Sequence, residues 1–342
     1  GDGDGDGDGD GHGAVPCDVA DATLVPVPTN AILVLDKSGS MVSNTWDHDN
    51  DGGTEEITRW ESLHSVVDLM VTSYDDKINF GAALYPDMNA QQAYNSTACT
   101  TDASLVEEAD PDNGAAILAA IPAATGDEDD IKGGTPSASG VQAALDHLAG
   151  LAPENPQAIF FITDGAANCT EGAGLPELFE DYDDTLHTIV GDAWTDEGIP
   201  TYVVGIDISE ENTGDAQDGN PDDIVPFDKL NQLANEGGTP TGGDEDFYSA
   251  TNQAELEAAL TAIADSAVSC TVPLDPEPPF PELLEIYIAD TFVPNVDDCL
   301  TENGWVYTNP DGPYDSIELC GDWCTALKEA GELTAEYYCD PG

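Results

Sequence analysis

Two stretches of this chain, Ala31-Ile32-Leu33-Val34-Leu35 and Ala158-Ile159-Phe160-Phe161-Ile162, are apolar at every position. A strand with one wet face alternates apolar and polar side chains, so a run without alternation has to be covered on both faces. Ile78-Asn79-Phe80-Gly81-Ala82-Ala83-Leu84-Tyr85 reads as a further strand of the same kind. Between the strands the pattern changes to helical. Thr58-Arg59-Trp60-Glu61 reads as a capping box, and Trp60, Leu63, Val66, Val67, Met70 and Val71 then recur at helical spacing. Helices are expected near 113–121, 137–149, 185–197 and 226–235, with a strand at 201–206 and a short one at Phe247-Tyr248. A last helix is capped by Asn252 and Glu255 in the same reciprocal way. Strands alternating with helices predict an α/β fold with a doubly wound, mainly parallel sheet flanked by helices. In such sheets ligands sit at the carboxyl ends of the strands, near the switch in strand order.

The ends of the chain read differently. Residues 1–13 are a Gly-Asp repeat closing in Gly11-His12-Gly13, too polar and too flexible to fold around a core, and are expected to form an acidic tether with weak calcium condensation. Residues 14–270 are assigned to the α/β domain. Beyond Cys270, the prolines at 273, 276, 278, 279 and 281 predict a stiff connector. Residues 271–342 are expected to form a small α+β module, with strands around 283–289, 304–308, 316–319 and 333–338 and a helix near 322–330.

The chain has eight cysteines: Cys17, Cys99, Cys169, Cys270, Cys299, Cys320, Cys324 and Cys339. The even count and the absence of a C-x-x-C pair favour disulfides over zinc, and therefore an oxidising, extracellular or cell-surface setting. Sequence alone leaves all pairings open. Chain position favours Cys17–Cys270, because the termini of such domains often lie close together, and Cys99–Cys169, both in loops. The module would then keep Cys299, Cys320, Cys324 and Cys339 to itself.

Charge narrows the choice of partner. The 342 residues carry 70 acidic and 6 basic side chains, a formal net charge of -64. Such a surface repels phosphate backbones and anionic lipid, which excludes nucleic acid, and it attracts cations. No apolar run approaches the ~20 residues of a membrane span. The chain begins without an initiator Met or a signal sequence and is read as a processed form. The same excess of Asp over Lys resembles salt-adapted proteins.

The chemistry gathers after the first strand. Asp36-Lys37-Ser38-Gly39-Ser40 follows it directly, Gly133-Gly134-Thr135-Pro136 precedes a helix, and Thr163-Asp164-Gly165 ends the strand at 158–162. Asp36, Ser38, Ser40, Thr135 and Asp164 supply two carboxylates and three hydroxyls, hard oxygen donors suited to Mg²⁺, Mn²⁺ or Ca²⁺. Loop-capping hydroxyls and a β-turn Asp would use the same residue types. In this order, however, the five positions resemble the metal-ion-dependent adhesion site of von Willebrand factor type A (VWA) domains, and the resemblance covers roughly residues 28–268. It implies that Ser38, Ser40 and Thr135 contact the ion, that Asp36 and Asp164 act mostly through water, and that an acidic group of a partner completes the coordination. The implied partner is a protein or glycan bearing such a group. The net charge of the chain opposes an acidic partner at long range, and dissolved cations must screen it.

Asp47-His48-Asp49-Asn50-Asp51-Gly52 has the D-x-D-x-D-G form of a calcium loop. Thr58 stands where the closing Glu is expected, so Glu55 or Glu56 would have to substitute; the alternative is a solvated acidic loop. Catalytic readings are weaker. Ser38 and Ser40 have no His in a plausible sequence context, Gly39-Ser40-Met41 is not a nucleophile elbow, and His147 beside Leu145 and Leu148 reads as a partly buried structural residue. The expected function is therefore extracellular, metal-dependent adhesion rather than enzymatic turnover. Gly-Asp tethers and oxidised cysteines resemble secreted bacterial proteins and surface lipoproteins, and a lipidated Cys upstream would explain the tether. A calcium-gathering structural polyanion of a matrix or envelope is the alternative, and a metal-dependent hydrolase without a positioned base is a third.

Overall fold

The apolar runs occupy the middle of a six-stranded sheet in the computed structural model, which describes residues 15–152 and 155–339. The Gly-Asp tether lies outside the described residues. Strand β1 (Val15–Leu24) is followed by β2 (Thr29–Asp36), a single helical turn α1 (Ser40–Ser43), and a two-residue ladder of β3 (Thr45–Trp46) with β4 (Ile57–Thr58). Helix α2 (Arg59–Tyr74), β5 (Ile78–Tyr85), β6 (Leu105–Asp110), α3 (Gly114–Ala120), α4 (Ser137–Leu148) and β7 (Gln157–Thr163) come next. The α/β portion closes with α5 (Glu177–Glu180), α6 (Thr185–Glu197), β8 (Thr201–Ile206), α7 (Pro226–Glu236), β9 (Tyr248–Ala250) and α8 (Gln253–Ala267).

The strand order is β6-β5-β2-β7-β8-β9, parallel throughout except for β6, which runs antiparallel to β5. All eight residues of β2 and all eight of β5 are buried, as unbroken apolar runs require. Ala31, Leu33 and Leu35 face one side of the sheet with Trp60 and Leu63 of α2 and Leu256 and Leu260 of α8. Ile32 and Val34 face the other, with Val141 of α4, Leu186 and Val190 of α6 and Leu233 of α7. Strand β6 has no counterpart in the sequence reading. It is a half-exposed edge strand with three carboxylates, Glu107, Glu108 and Asp110, and edge strands lack the apolar pattern that marks central ones.

Caps set the helix starts. The Thr58 hydroxyl accepts the Glu61 N–H at 3.1 Å, and Asn252 Oδ1 accepts the Glu255 N–H at 3.0 Å. The Glu255 carboxylate reaches back to the Thr251 N–H at 2.8 Å, one residue before the one a strict capping box would use.

Pro28–Val268 forms one compact unit, and the described residues on either side of it form another. This corrects the assignment of 14–270 to the α/β domain. Strand β1 pairs antiparallel with β15 (Leu333–Cys339), with Ala22 opposite Ala335 and Leu24 opposite Leu333. The second unit also contains β10 (Thr271–Pro273), β11 (Leu284–Ile288), β12 (Thr291–Val293), β13 (Gly304–Tyr307), β14 (Ser316–Cys320) and helix α9 (Asp322–Ala330). Its sheets run β1-β15-β11-β12 and β10-β14-β13 around Val272, Ile286, Trp305, Ile317 and Leu327. The proline run, expected as a stiff connector, is part of this unit. Leu274 N–H donates to Asp315 O at 2.7 Å, and the Tyr307 hydroxyl donates to Pro281 O at 2.9 Å.

Three disulfides are described. Cys99–Cys169 forms as expected, across 70 residues of the α/β unit. Cys270 bonds Cys324, and Cys299 bonds Cys320. The expected Cys17–Cys270 pair is therefore excluded, because Cys270 sits just before β10, and β10 pairs with β14, the strand that leads into α9 and Cys324. Non-reducing peptide mapping should recover a Cys270–Cys324 peptide and no Cys17–Cys270 peptide. Replacing Cys270 and Cys324 by Ser should destabilise the second unit by about 4 kcal/mol, the loop-closure value for a 54-residue span, as measured by denaturant titration.

Candidate functional site

Strands β2 and β7 are neighbours in parallel register, with Leu35 opposite Ile162, so Asp36 and the Thr163-Asp164 pair emerge at the same sheet edge. Helix α2, which follows β2, covers one face of the sheet, and α6, which follows β7, covers the other. The two connections thus leave in opposite directions and open a crevice between the strand ends, where ligands of doubly wound sheets bind.

A chain of hydrogen bonds lines this crevice. Asp36 Oδ1 accepts the Ser38 N–H at 2.8 Å, and its Oδ2 accepts the Thr163 hydroxyl at 2.7 Å. The Ser38 and Ser40 hydroxyls lie 2.9 Å apart, and Ser40 Oγ donates to Asp164 Oδ1 at 2.6 Å. The loop carrying Thr135 is brought in by backbone bonds, Lys132 N–H to Lys37 O at 3.1 Å and Gly39 N–H to Gly133 O at 3.2 Å. Thr135 N–H donates to Asn168 Oδ1 at 2.7 Å.

The two glycines before Thr135 are needed for this approach. Gly133 has φ +105°, and a Cβ there would lie 2.6 Å from Ala98 O; at Gly134 it would lie 2.7 Å from the Cys169 sulfur. The Cys99–Cys169 bridge thus packs directly under the Thr135 loop. Ser38, Ser40 and Thr135 share a cleft of about 590 Å³ with Gln92, Tyr94 and Asn220. Three of the five residues singled out by the sequence line this cleft, and the other two, Asp36 and Asp164, are hydrogen-bonded to Ser38 and Ser40.

The carboxylates are deeply buried. Asp36 is fully buried, and its pKa is pushed up to about 7, first by burial and then by the neighbouring charge of Asp164. Burial also raises the pKa of Asp164, against the opposing pull of Arg59. In the sequence, Arg59 is legible only as part of a helix cap. Its guanidinium spans two carboxylates, Nη1 to Asp164 Oδ2 at 2.8 Å and Nη2 to Asp207 Oδ2 at 2.5 Å. The one available signal was rarity, since Arg59 is the single arginine in a chain with 70 acidic residues. Lys37 is fully buried beside the site. Its pKa is lowered to about 8, first by burial and then by Lys132, and its ammonium donates to Asp130 O at 3.2 Å.

The donor set fits a hard divalent cation: neutral hydroxyls, two carboxylates and no sulfur or imidazole among the five residues. Among the described residues no group of three or more His, Cys, Asp or Glu side chains gathers as a metal cage, so an ion here would be held largely by hydroxyls. The 47–55 loop does not assemble a cage. Asp49 Oδ1 accepts from Asp51 N–H at 3.0 Å and the Thr54 hydroxyl at 2.8 Å, and Asp51 Oδ1 accepts from Gly53 N–H at 3.1 Å. These carboxylates serve their own turn, and among the described residues no three acidic side chains gather there as a metal cage. His147 Nε2 accepts the Ala109 N–H at 3.0 Å, a structural role.

No protein-family model matches the sequence, and no curated protein matches it. Among solved structures, the pilus adhesin SpaC from Lactobacillus rhamnosus GG aligns with a TM-score of 0.46 and 14% identity, over 91% of this chain and 39% of that one. The von Willebrand factor domain of the type V pili tip protein Mfa5 from Porphyromonas gingivalis gives 0.42 and 13%, over 71% of this chain and 95% of that one. A von Willebrand factor type A protein from Catenulispora acidiphila gives 0.42 and 11%, over 96% of this chain and 66% of that one. This chain therefore spans well under half the length of SpaC. Likenesses with TM-scores of 0.46 and below carry no weight for the chemistry of the site, which rests on its own geometry.

The raised pKa of Asp36 has a sign that can be checked. Its folded pKa lies above the unfolded one, so between these values the folded state holds more protons and stability falls as pH rises. In EDTA, the protein should gain stability as pH drops from about 7 towards 3.8, and Asp36→Asn should flatten part of that slope in thermal melts. An identical slope in both proteins would remove Asp36 as its source.

Proposed function

We propose that the α/β unit binds an acidic group of a protein or glycan partner through a divalent cation, Mg²⁺ or Mn²⁺, held at the crevice between β2 and β7. One observation carries the reading: Asp36, Ser38, Ser40 and Asp164 form a continuous hydrogen-bonded chain on the edge of a cleft that Thr135 also lines. Such an ion supplies an electrophilic site for an outside carboxylate. Ser38, Ser40 and Thr135 would hold it as neutral donors, so little of its charge is cancelled. Asp164 would orient the Ser40 hydroxyl, and Asp36 would hold the loop through the Ser38 N–H. The cleft is wide enough for a side chain or sugar unit and carries amides at Gln92 and Asn220 for hydrogen bonds to it. We read this as binding rather than turnover.

The setting we propose is extracellular or on a cell surface. Cys99–Cys169, Cys270–Cys324 and Cys299–Cys320 are formed, and disulfides persist in oxidising compartments. Among the described residues no helix is long and apolar enough to cross a membrane, and a lipid anchor upstream of the Gly-Asp repeat would place the protein at a surface.

Thr135→Ala tests the reading, because Thr135 contributes a donor while its loop is held through the backbone. The variant should fold normally and lose at least about tenfold in Mg²⁺ affinity by calorimetry, the lower end of what removing even an outer partner of a metal costs. Unchanged affinity would take Thr135 out of the site. Cation uptake that EDTA strips from both proteins equally would transfer the activity to the acidic surface and favour a calcium-gathering polyanion.

A further inference from the structure

The proposed ligand is an acid and the protein carries a net charge of -64, so something local has to make the site attractive to anions. Arg59 is in the position to do so. It enters from the first turn of α2, 105 residues from Asp164 in sequence, and its side chain is only 11% exposed. Its Nε is buried without a hydrogen-bond partner, so the guanidinium is fixed through its two outer nitrogens, on Asp164 at the end of β7 and on Asp207 just past β8. The two oxygens of Asp164 are divided: Ser40 holds Oδ1, and Arg59 holds Oδ2.

Counting formal charges shows the consequence. Neutral donors would leave the ion electrophilic at contact, but two carboxylates and a divalent cation sum to zero, so from a distance such a site has no net pull on a carboxylate. Arg59 leaves the sum one unit positive, in a poorly hydrated place where charge acts more strongly than in water. Its other carboxylate, Asp207, is 47% exposed and screened by water, so it cancels less of that charge. The same guanidinium competes with the cation for Asp164 and lowers the metal affinity.

We propose that Arg59 sets the charge of this site, weakening its hold on the divalent ion while giving the loaded site the positive charge that draws in an acidic ligand. This inference rests on the function proposed above. Arg59 acts through Asp164 and is a positioning residue.

The test separates the two effects by their opposite signs. Mn²⁺ binding would be measured by calorimetry and acetate binding to the Mn²⁺-loaded protein by water-proton relaxation. Both would be done at high ionic strength to suppress surface uptake, and the Thr135→Ala signal would be subtracted. Arg59→Gln should tighten Mn²⁺ binding about tenfold and weaken acetate binding by a similar factor. Arg59→Lys, which keeps the charge, should recover most of both. Asp207→Asn leaves Arg59 in place with its whole charge towards Asp164, so it should move both affinities the opposite way; it keeps the test open if Arg59→Gln does not fold. A folded Arg59→Gln protein in which both affinities are unchanged, or fall together, would overturn the inference. So would an Arg59→Lys protein that behaves like Arg59→Gln, or an Asp207→Asn protein that binds both probes as the parent does. A parent protein with no Thr135-dependent Mn²⁺ uptake would overturn the adhesion-site reading itself, and this inference with it.

Discussion

The parallel pairing of β2 with β7 is the constraint on which the site depends. Two apolar strands lie side by side in register, Leu35 opposite Ile162, and both run out of hydrophobic residues at the same edge. Two carboxylates 128 positions apart in the chain, Asp36 and Asp164, are thereby buried in one crevice. Like charges in such a place repel and resist ionisation, and the raised pKa of Asp36 expresses that conflict. The hydroxyls of Ser40 and Thr163 and the guanidinium of Arg59 relieve it in part. A divalent cation would relieve it further.

The wider electrostatics follow the same logic. A chain with so few cations places three of them, Lys37, Arg59 and Lys132, close to this edge. Lys37 is buried among backbone carbonyls of the acidic loop 126–132, and Arg59 spans Asp164 and Asp207. Elsewhere the acidic loops cap their own turns, as Asp49 and Asp51 do. The surface charge reads as solvated and the crevice charge as arranged.

Much of this was legible in local pattern. Apolar runs without alternation marked central strands, and α2 declared its buried face through Trp60, Leu63, Val66, Val67, Met70 and Val71, all buried. The five candidate ligands were visible because each lies within a few residues of a strand end or a Gly-Gly turn. Partners chosen by distant packing stayed hidden. Chain position favours Cys17 as the partner of Cys270, whereas β10 against β14 brings it to Cys324. Residues 15–24 fall within the span 14–270 that chain order assigns to the α/β domain and carry no strand signal of their own, yet they form a ladder with β15, about 300 residues away.

What the sequence determined by itself was therefore the class of fold and the chemistry of the donors, because periodicity and residue type act over a few neighbouring positions. It determined that the middle of the chain forms a covered α/β sheet and that hard oxygen donors stand at two strand ends and a Gly-Gly turn. Tertiary structure alone decided which cysteines meet, which sheet takes β1, and which cation faces Asp164. Those choices depend on pairings whose partners are separated by tens to hundreds of residues, where burial and register, rather than any local preference, select the outcome. Arg59 is the clearest case. As a letter in the sequence it begins a helix, and only the fold shows that the same side chain holds a carboxylate of the site.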